Sequence, residues 1–284
     1  MNAPGASSPD LLVPARGALL DALVALEQHR DAVIVIGAQA VYLRTSEIRA
    51  QVALAEATKD SDLAVDPREL AEEPLLEQAM TRAGFIPNPD PRKKQPGAWV
   101  NKAGFEVDLM VPEALAGGGG KQARGARIPP HSKGAARRAR GLEAALVDYS
   151  PMEVAALDPA DNRRYTVKVA GPAALLIAKL HKIAERVDDP NSDRLQDKDA
   201  HDVYRLLTAY ETDGLAARIK QLLAEEICES ETRDALDHLE TLFSAGPDAT
   251  GSTMAGRAEE GIGEPLTVAA STATLAADLL RAHR

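Results

Sequence analysis

The sequence predicts an α+β protein: a mixed sheet with flanking helices over residues 1–170, joined to a C-terminal helical bundle over 171–284. Short β-branched apolar runs alternate with helical spacing in the first part, which is the signature of a sheet with helices packed on it. After Pro172 the period changes, and successive segments carry apolar residues at helical intervals. A Gly, Ala and Arg-rich stretch lies between the two patterns, and 114–142 is expected to be a mobile basic loop of the first domain.

Taken in order, residues 1–10 read as a disordered lead-in, and "ALLDALVALEQH" at 18–29 places Leu19, Leu20, Leu23 and Leu26 on one helical face. "AVIVIG" at 32–37 predicts a buried strand stopped by glycine, with a short helix through "AQAVYLR" after it. "DLAVD" at 62–66 predicts a second strand. The segment 67–84 predicts a helix opened by Asp66 and Pro67 and closed by Gly84. "AWVNKAGFEVDLMVP" at 98–112 reads as two strands reversing at Gly104, and "RRYTVKVAGP" at 163–172 as a strand. Helices are expected at 173–187, 197–210, 215–227 and 231–243. A glycine-containing polar segment at 245–264 then separates them from a last helix near 266–283.

Composition narrows the function. With 284 residues, 45% of them hydrophobic, the chain can bury a large core. Its longest apolar runs fall far short of the roughly 20 residues that span a bilayer, so no membrane association is expected. The first residues carry no secretion pattern, and Cys228 is the lone cysteine, both consistent with a cytoplasmic protein. A net charge of −10 argues against wholesale attachment to nucleic acid. That charge is uneven: 114–142 holds seven basic residues and no acidic one, whereas 185–264 holds twenty acidic against eight basic. The basic stretch Lys121–Arg140 could clamp an RNA acceptor.

"ATKDSDLAV" at 57–65 sets Asp60 and Asp62 one residue apart on a strand, so both carboxylates project to one face. Two anions that close are costly away from water, and a divalent cation between them removes the cost. Mg²⁺ suits hard oxygen donors and keeps positions open for water and phosphate, and Mn²⁺ could replace it. In "FEVDLMV" Asp108 interrupts an apolar run with Glu106 on its face, so a neighbouring strand could bring a third acid to the pair. Asp60, Asp62 and Asp108 are therefore the candidate metal ligands and catalytic acids. Lys59 and Ser61 alternate to the other face, although Ser61 could stand near enough to the metals to accept a nucleotide itself.

In order, "VIGAQAVYLR", "ATKDSDLAV", "FEVDLMV", "AALLIAKLHKI" and "DKDAHDVYRLL" resemble the motifs of the AbiEii-type nucleotidyltransferases, the toxin-like branch of the DNA polymerase β superfamily that includes the MenT toxins. The resemblance spans roughly residues 32–210 and implies a nucleotidyltransferase-like fold and an enzyme of that class. Such an enzyme transfers a nucleoside monophosphate from an NTP, with the tRNA 3′ end as acceptor and a cognate antitoxin as possible partner. It further implies that Gly37 and Ala38 cradle the triphosphate, that Lys179 contacts the nucleotide and acts catalytically with Asp199, and that Lys198 and Asp202 complete the last motif. Where the family carries Gly-Gly or Gly-Ser, this chain has Gly37 and Ala38, without a hydroxyl.

Other readings are a transferase acting on a small molecule such as an antibiotic, or on a protein side chain, since the same metals serve any hydroxyl. His201 and Asp202 with His181 upstream hint at an HD-type metal phosphohydrolase, but helical patterning makes His201 a surface or ion-paired residue. "GGGGKQ" at 117–122 departs from a P-loop at Leu115 and Gln122. Trp99 and Phe105 read as packing residues.

Overall fold

The computed structural model describes residues 8–46, 60–90, 95–118, 123–189 and 196–284; the expectations for residues 1–7, Lys59 and Lys121 lie outside them. The chain divides into two compact units. One comprises Met1–Ala40, Ala57–Leu142 and Tyr149–Ala170; the other comprises Val41–Glu56, Glu143–Asp148 and Gly171–Arg284.

The first unit is built on one mixed sheet. Its strands are β1 (Val33–Ile36), β2 (Asp60–Val65), β3 (Ile86–Pro87), β4 (Ala98–Val100), β5 (Glu106–Pro112), β6 (Arg137–Ala139), β7 (Tyr149–Ala155) and β8 (Arg164–Ala170). They lie in the order β3-β4-β5-β2-β1-β8-β7, with β6 paired to β5. All four residues of β1 are buried, as a central strand requires. Helix α1 (Ser8–Ala25) packs across β2 and β5. It starts ten residues earlier than the leucine spacing at 18–29 suggests, because Ala15 and Ala18 extend the buried face.

The 98–112 hairpin forms as its sequence implies, with Gly104 at φ +83° in the turn. β7 was not foreseen: it is an edge strand with Pro151 inside it and mostly exposed or half-buried side chains, so it lacks an apolar strand signature. The helix expected over 67–84 shrinks to α3 (Leu76–Arg82). The Asp66 carboxylate turns back to accept the Arg68 backbone N–H at 3.0 Å, and Pro74 has no N–H to offer a helix.

The expected mobile loop is corrected by the structure for residues 123–142. Ala126, Ile128, Ala135, Ala136 and Leu142 are buried, and β6 pairs in parallel with β5. Trp99 Nε1 donates to the Ala135 carbonyl at 3.1 Å. His131 accepts the Leu76 N–H on Nδ1 at 3.2 Å and meets the Ala71 carbonyl through Nε2 at 3.1 Å. The small residues that read as flexibility are points of close approach. A Cβ on Gly125 would sit 2.4 Å from the Lys133 carbonyl oxygen, and one on Gly117 2.6 Å from that of Arg127.

In the second unit the helices are α4 (Pro172–Val187), α5 (Asp197–Ala209), α6 (Thr212–Leu223), α7 (Glu229–Leu239), α8 (Thr250–Arg257) and α9 (Pro265–His283). Gly171 at the start of α4 has no capping side chain; Asp148 supplies one by accepting the Ala174 N–H at 3.0 Å. α8 corrects the expected polar connection at 245–264. Its glycines serve packing, since a Cβ on Gly251 would meet the Phe243 ring at 2.5 Å and one on Gly256 the Pro265 carbonyl oxygen at 2.5 Å. No described helix is long and apolar enough to cross a membrane.

Gly97 fixes β6 beside β5. It has φ +75°, and a Cβ there would lie 2.2 Å from the Leu109 carbonyl oxygen and 2.7 Å from the Arg137 nitrogen. Gly104 shares the positive φ but has nothing within 4 Å of such a Cβ. Chemical denaturation is therefore expected to show Gly104→Ala costing about 1 kcal/mol for backbone conformation and Gly97→Ala about 3 kcal/mol or more. Equal losses would show that the close approach does not matter.

Candidate functional site

Parallel pairing of β2 with β5 sets Asp60 opposite Glu106 and Asp62 opposite Asp108. Registered partners share a face, so the three predicted acids and Glu106 project together. The opposite face carries Leu63, Val107 and Leu109, fully buried. Ser61 lies there too: it is 0% exposed, and its Oγ donates to the Ala15 carbonyl of α1 at 3.3 Å. The expectation that Ser61 stands near the metals to accept a nucleotide is corrected accordingly.

Gly37 and Ala38 begin α2 (Gly37–Arg44) directly at the end of β1. Ile36 is registered with Asp62, and a Cβ on Gly37 would lie 2.1 Å from Asp62 Oδ2. Only glycine lets the first turn of α2 approach the carboxylate this closely, and its φ of +67° independently favours glycine.

The sequence reading missed Arg137. It was counted in the basic stretch, but strand β6 aligns it with Met110, two residues beyond Asp108 on the same face. Its Nη1 donates to Asp108 Oδ2. Asp108 Oδ1 is buried without a hydrogen-bond partner. Withdrawal from water raises the Asp108 carboxyl to about 6; Arg137 pulls the other way, and Asp62 and Asp60 add to the rise. A hint was available in the sequence: "AARRAR" at 135–140 could have been read as a short strand.

Among the described residues no three acidic, histidine or cysteine side chains are drawn together as a finished metal cage. The donor set nevertheless fits a hard divalent cation. It is all carboxylate oxygen, it includes a buried oxygen with no partner, and it already holds one cation in Arg137.

The remaining predicted residues sit in the second unit, where Lys179, Asp199 and Asp202 form a cluster of their own. Lys179 on α4 is 5% exposed, and its Nζ lies 2.8 Å from Asp199 Oδ1 and 2.6 Å from Asp202 Oδ2 on α5. Asp199 is 1% exposed and also receives Lys182 at 3.0 Å and Arg186 at 2.6 Å. Burial opposes the charge on Asp199, but Lys179, Lys182 and Arg186 together hold its carboxyl below the usual carboxylate range. Burial likewise opposes the Lys179 ammonium, and Asp199 with Asp202 holds its titration above the usual lysine range. Lys198, half-buried on α5, points to no partner in this cluster. His201 is fully buried rather than at the surface, paired through Nε2 with Glu259 Oε1 at 2.6 Å. His181 Nε2 instead meets the Glu231 carbonyl at 2.7 Å, so the two histidines serve different helices and do not form a shared metal site.

The Nucleotidyltransferase family model matches residues 15–227 of this chain. Two solved structures are similar to it. One is an antigenic nucleotidyltransferase-like protein from Paracoccidioides brasiliensis, at 14% identity and a TM-score of 0.38, covering 80% of this chain and 93% of the other. The second, a protein from H. pylori described as a nucleotidyltransferase, has 11% identity and a TM-score of 0.40, covering 96% of each. No curated protein matches.

Two outcomes follow from the charges. Asp108 titrates above its ordinary 3.8, so its favourable contribution is complete below pH 3.8 and is lost as pH rises through about 6. Asp108→Asn is therefore expected to be more stable than the parent above pH 6, by up to about 3 kcal/mol, with the difference vanishing near pH 4. Thermal denaturation against pH reads this directly, and a less stable variant at pH 8 would contradict it. Lys179→Met strands Asp202 and removes one of three cations from buried Asp199; a loss on the order of 3 kcal/mol is expected in urea denaturation.

Proposed function

Because this chain belongs to the nucleotidyltransferase family, we propose that it transfers a nucleoside monophosphate from an NTP to an acceptor hydroxyl on the acidic face of β2 and β5, using Mg²⁺. The observation that carries this reading is the register that pairs Asp62 with Asp108 beneath Gly37. Asp60, Asp62 and Asp108 would hold the metal, with Mn²⁺ as a substitute; when bound, it would neutralise triphosphate charge and lower the acidity barrier of the acceptor hydroxyl.

The chain's own groups do the rest. Gly37 and Ala38 open α2, whose first backbone amides have no intrahelical acceptor and suit phosphate oxygens. Gly37 brings those amides to the edge of the acidic face without a side chain in the way. The acceptor oxygen attacks the α-phosphorus, the bond to the β-phosphate oxygen breaks, and pyrophosphate leaves. Asp108 Oδ1, buried and without another partner, is placed to take the hydroxyl proton. In the second unit Lys179, Asp199 and Asp202 form a preformed charge cluster, and Lys179 is the proposed cation for a nucleotide phosphate, donating a hydrogen bond while keeping its charge. Lys198 on the same helix is the second candidate cation for the nucleotide.

For the acceptor, the proposal is the tRNA 3′ end, which would make the protein a cytoplasmic toxin held in check by an antitoxin. Two things support it: the order of motifs from Gly37 to Asp202, and the exposed Arg124, Arg127, Lys133 and Arg140 in the same unit as the acidic face. Each α-labelled NTP, offered with tRNA, with aminoglycosides or lincosamides, and with the protein alone, tests this. Label is expected in tRNA and is expected to fall at least about 100-fold in Asp62→Asn. Label that enters another acceptor and never tRNA would remove the toxin reading and leave the transferase.

A further inference from the structure

We infer that Arg137 is a resident counter-cation of the acidic face, occupying Asp108 when no metal is bound and passing to the triphosphate of the NTP when a divalent cation takes its place. The inference rests on the proposed metal-binding role of Asp60, Asp62 and Asp108.

Four observations support it. First, the face carries four carboxylates, Asp60, Asp62, Glu106 and Asp108, on two adjacent strands. Arg137 is the cation the structure joins to Asp108. Second, the contact uses one guanidinium nitrogen and one carboxylate oxygen, and leaves Asp108 Oδ1 without a partner. A guanidinium offers five donors in a fork, and bidentate pairing is its favoured geometry with carboxylate. The single-point contact therefore leaves donors available for phosphate oxygens.

Third, the backbone that presents Arg137 is fixed while the side chain is not enclosed. The parallel pairing with β5 and the Gly97 contact hold the Arg137 nitrogen in place, and the guanidinium side chain remains 20% exposed. Fourth, the charge requirement changes on loading. The bare face needs positive charge at Asp108, a metal supplies it, and the arriving triphosphate then needs positive charge one step further out. One arginine on a rigid strand satisfies both states by rotating its side chain alone. Because it competes with the metal for Asp108, it also disfavours metal binding in the absence of nucleotide.

Mn²⁺ titration monitored by electron paramagnetic resonance, with and without a non-hydrolysable NTP, separates the possibilities. Without nucleotide, Arg137→Met is expected to bind Mn²⁺ roughly three- to tenfold tighter than the parent, because a competing cation is gone. At saturating Mn²⁺ the same variant is expected to bind the NTP analogue about tenfold or more weakly, and Arg137→Lys is expected to fall between. Arg137→Lys also guards against misfolding of the methionine variant, with circular dichroism as the check. Weaker or unchanged Mn²⁺ binding in Arg137→Met would show that the arginine only braces the strands and would overturn the inference. Unchanged affinity for the analogue would overturn the transfer to phosphate. If Mn²⁺ binding by the parent is absent, or survives Asp62→Asn, the metal-binding reading itself fails, and the inference fails with it.

Discussion

Like charges on neighbouring strands are the constraint around which the first unit is arranged. Parallel pairing brings Asp62 and Asp108 side by side with Asp60 and Glu106 on the same face, and no rotamer can separate them fully while the register holds. Burial does most to raise the titration of Asp108, and Asp62 and Asp60 add to the rise against the pull of Arg137. The surrounding features answer it: α1 seals only the apolar face, Gly37 leaves room beside Asp62, and β6 delivers Arg137. A site that is uncomfortable in isolation is one prepared for cationic charge.

The second unit handles charge in the opposite manner. Asp199 is almost wholly withdrawn from water, yet three cations from α4 surround it, and its carboxyl titrates below the usual range. The pairing of α4 with α5 is thereby stated twice, by apolar packing and by a charge pattern in which Lys179, Lys182 and Arg186 follow the helical repeat. Its stability is present above the ordinary carboxylate range and is lost as acid protonates Asp199. On the alkaline side it is complete below the ordinary lysine range and is lost as pH rises from there through the raised Lys179 value. The same cluster holds the Lys179 ammonium between two carboxylates, Asp199 and Asp202.

Much of this could be read from residues alone, where the chemistry is local. Alternation exposed the shared face of Asp60 and Asp62, and an acid in an apolar run marked Asp108. What stayed hidden depends on distant partners. Glycine and alanine carry the same letters whether they loosen a loop or admit a close neighbour, so Gly117 and Gly125 resembled a linker, and Gly251 and Gly256 a spacer. Arg137 could not be assigned without knowing that β6 lies against β5. Edge strand β7 escaped because its exposed side chains have no apolar period, and the helix over 67–84 was overextended because the Asp66 turn is set by Arg68.

The facing of β2 and β5 also acts as a spelling check on folding. A slip of one residue in both strands would turn Asp60, Asp62, Glu106 and Asp108 inward beneath α1 and expose Leu63, Val107 and Leu109. Buried there without water or a counter-ion, four carboxylates would make the misaligned sheet far less favourable than the aligned one. The acids gathered on one face thus also make the misfolded alternative of the sheet untenable.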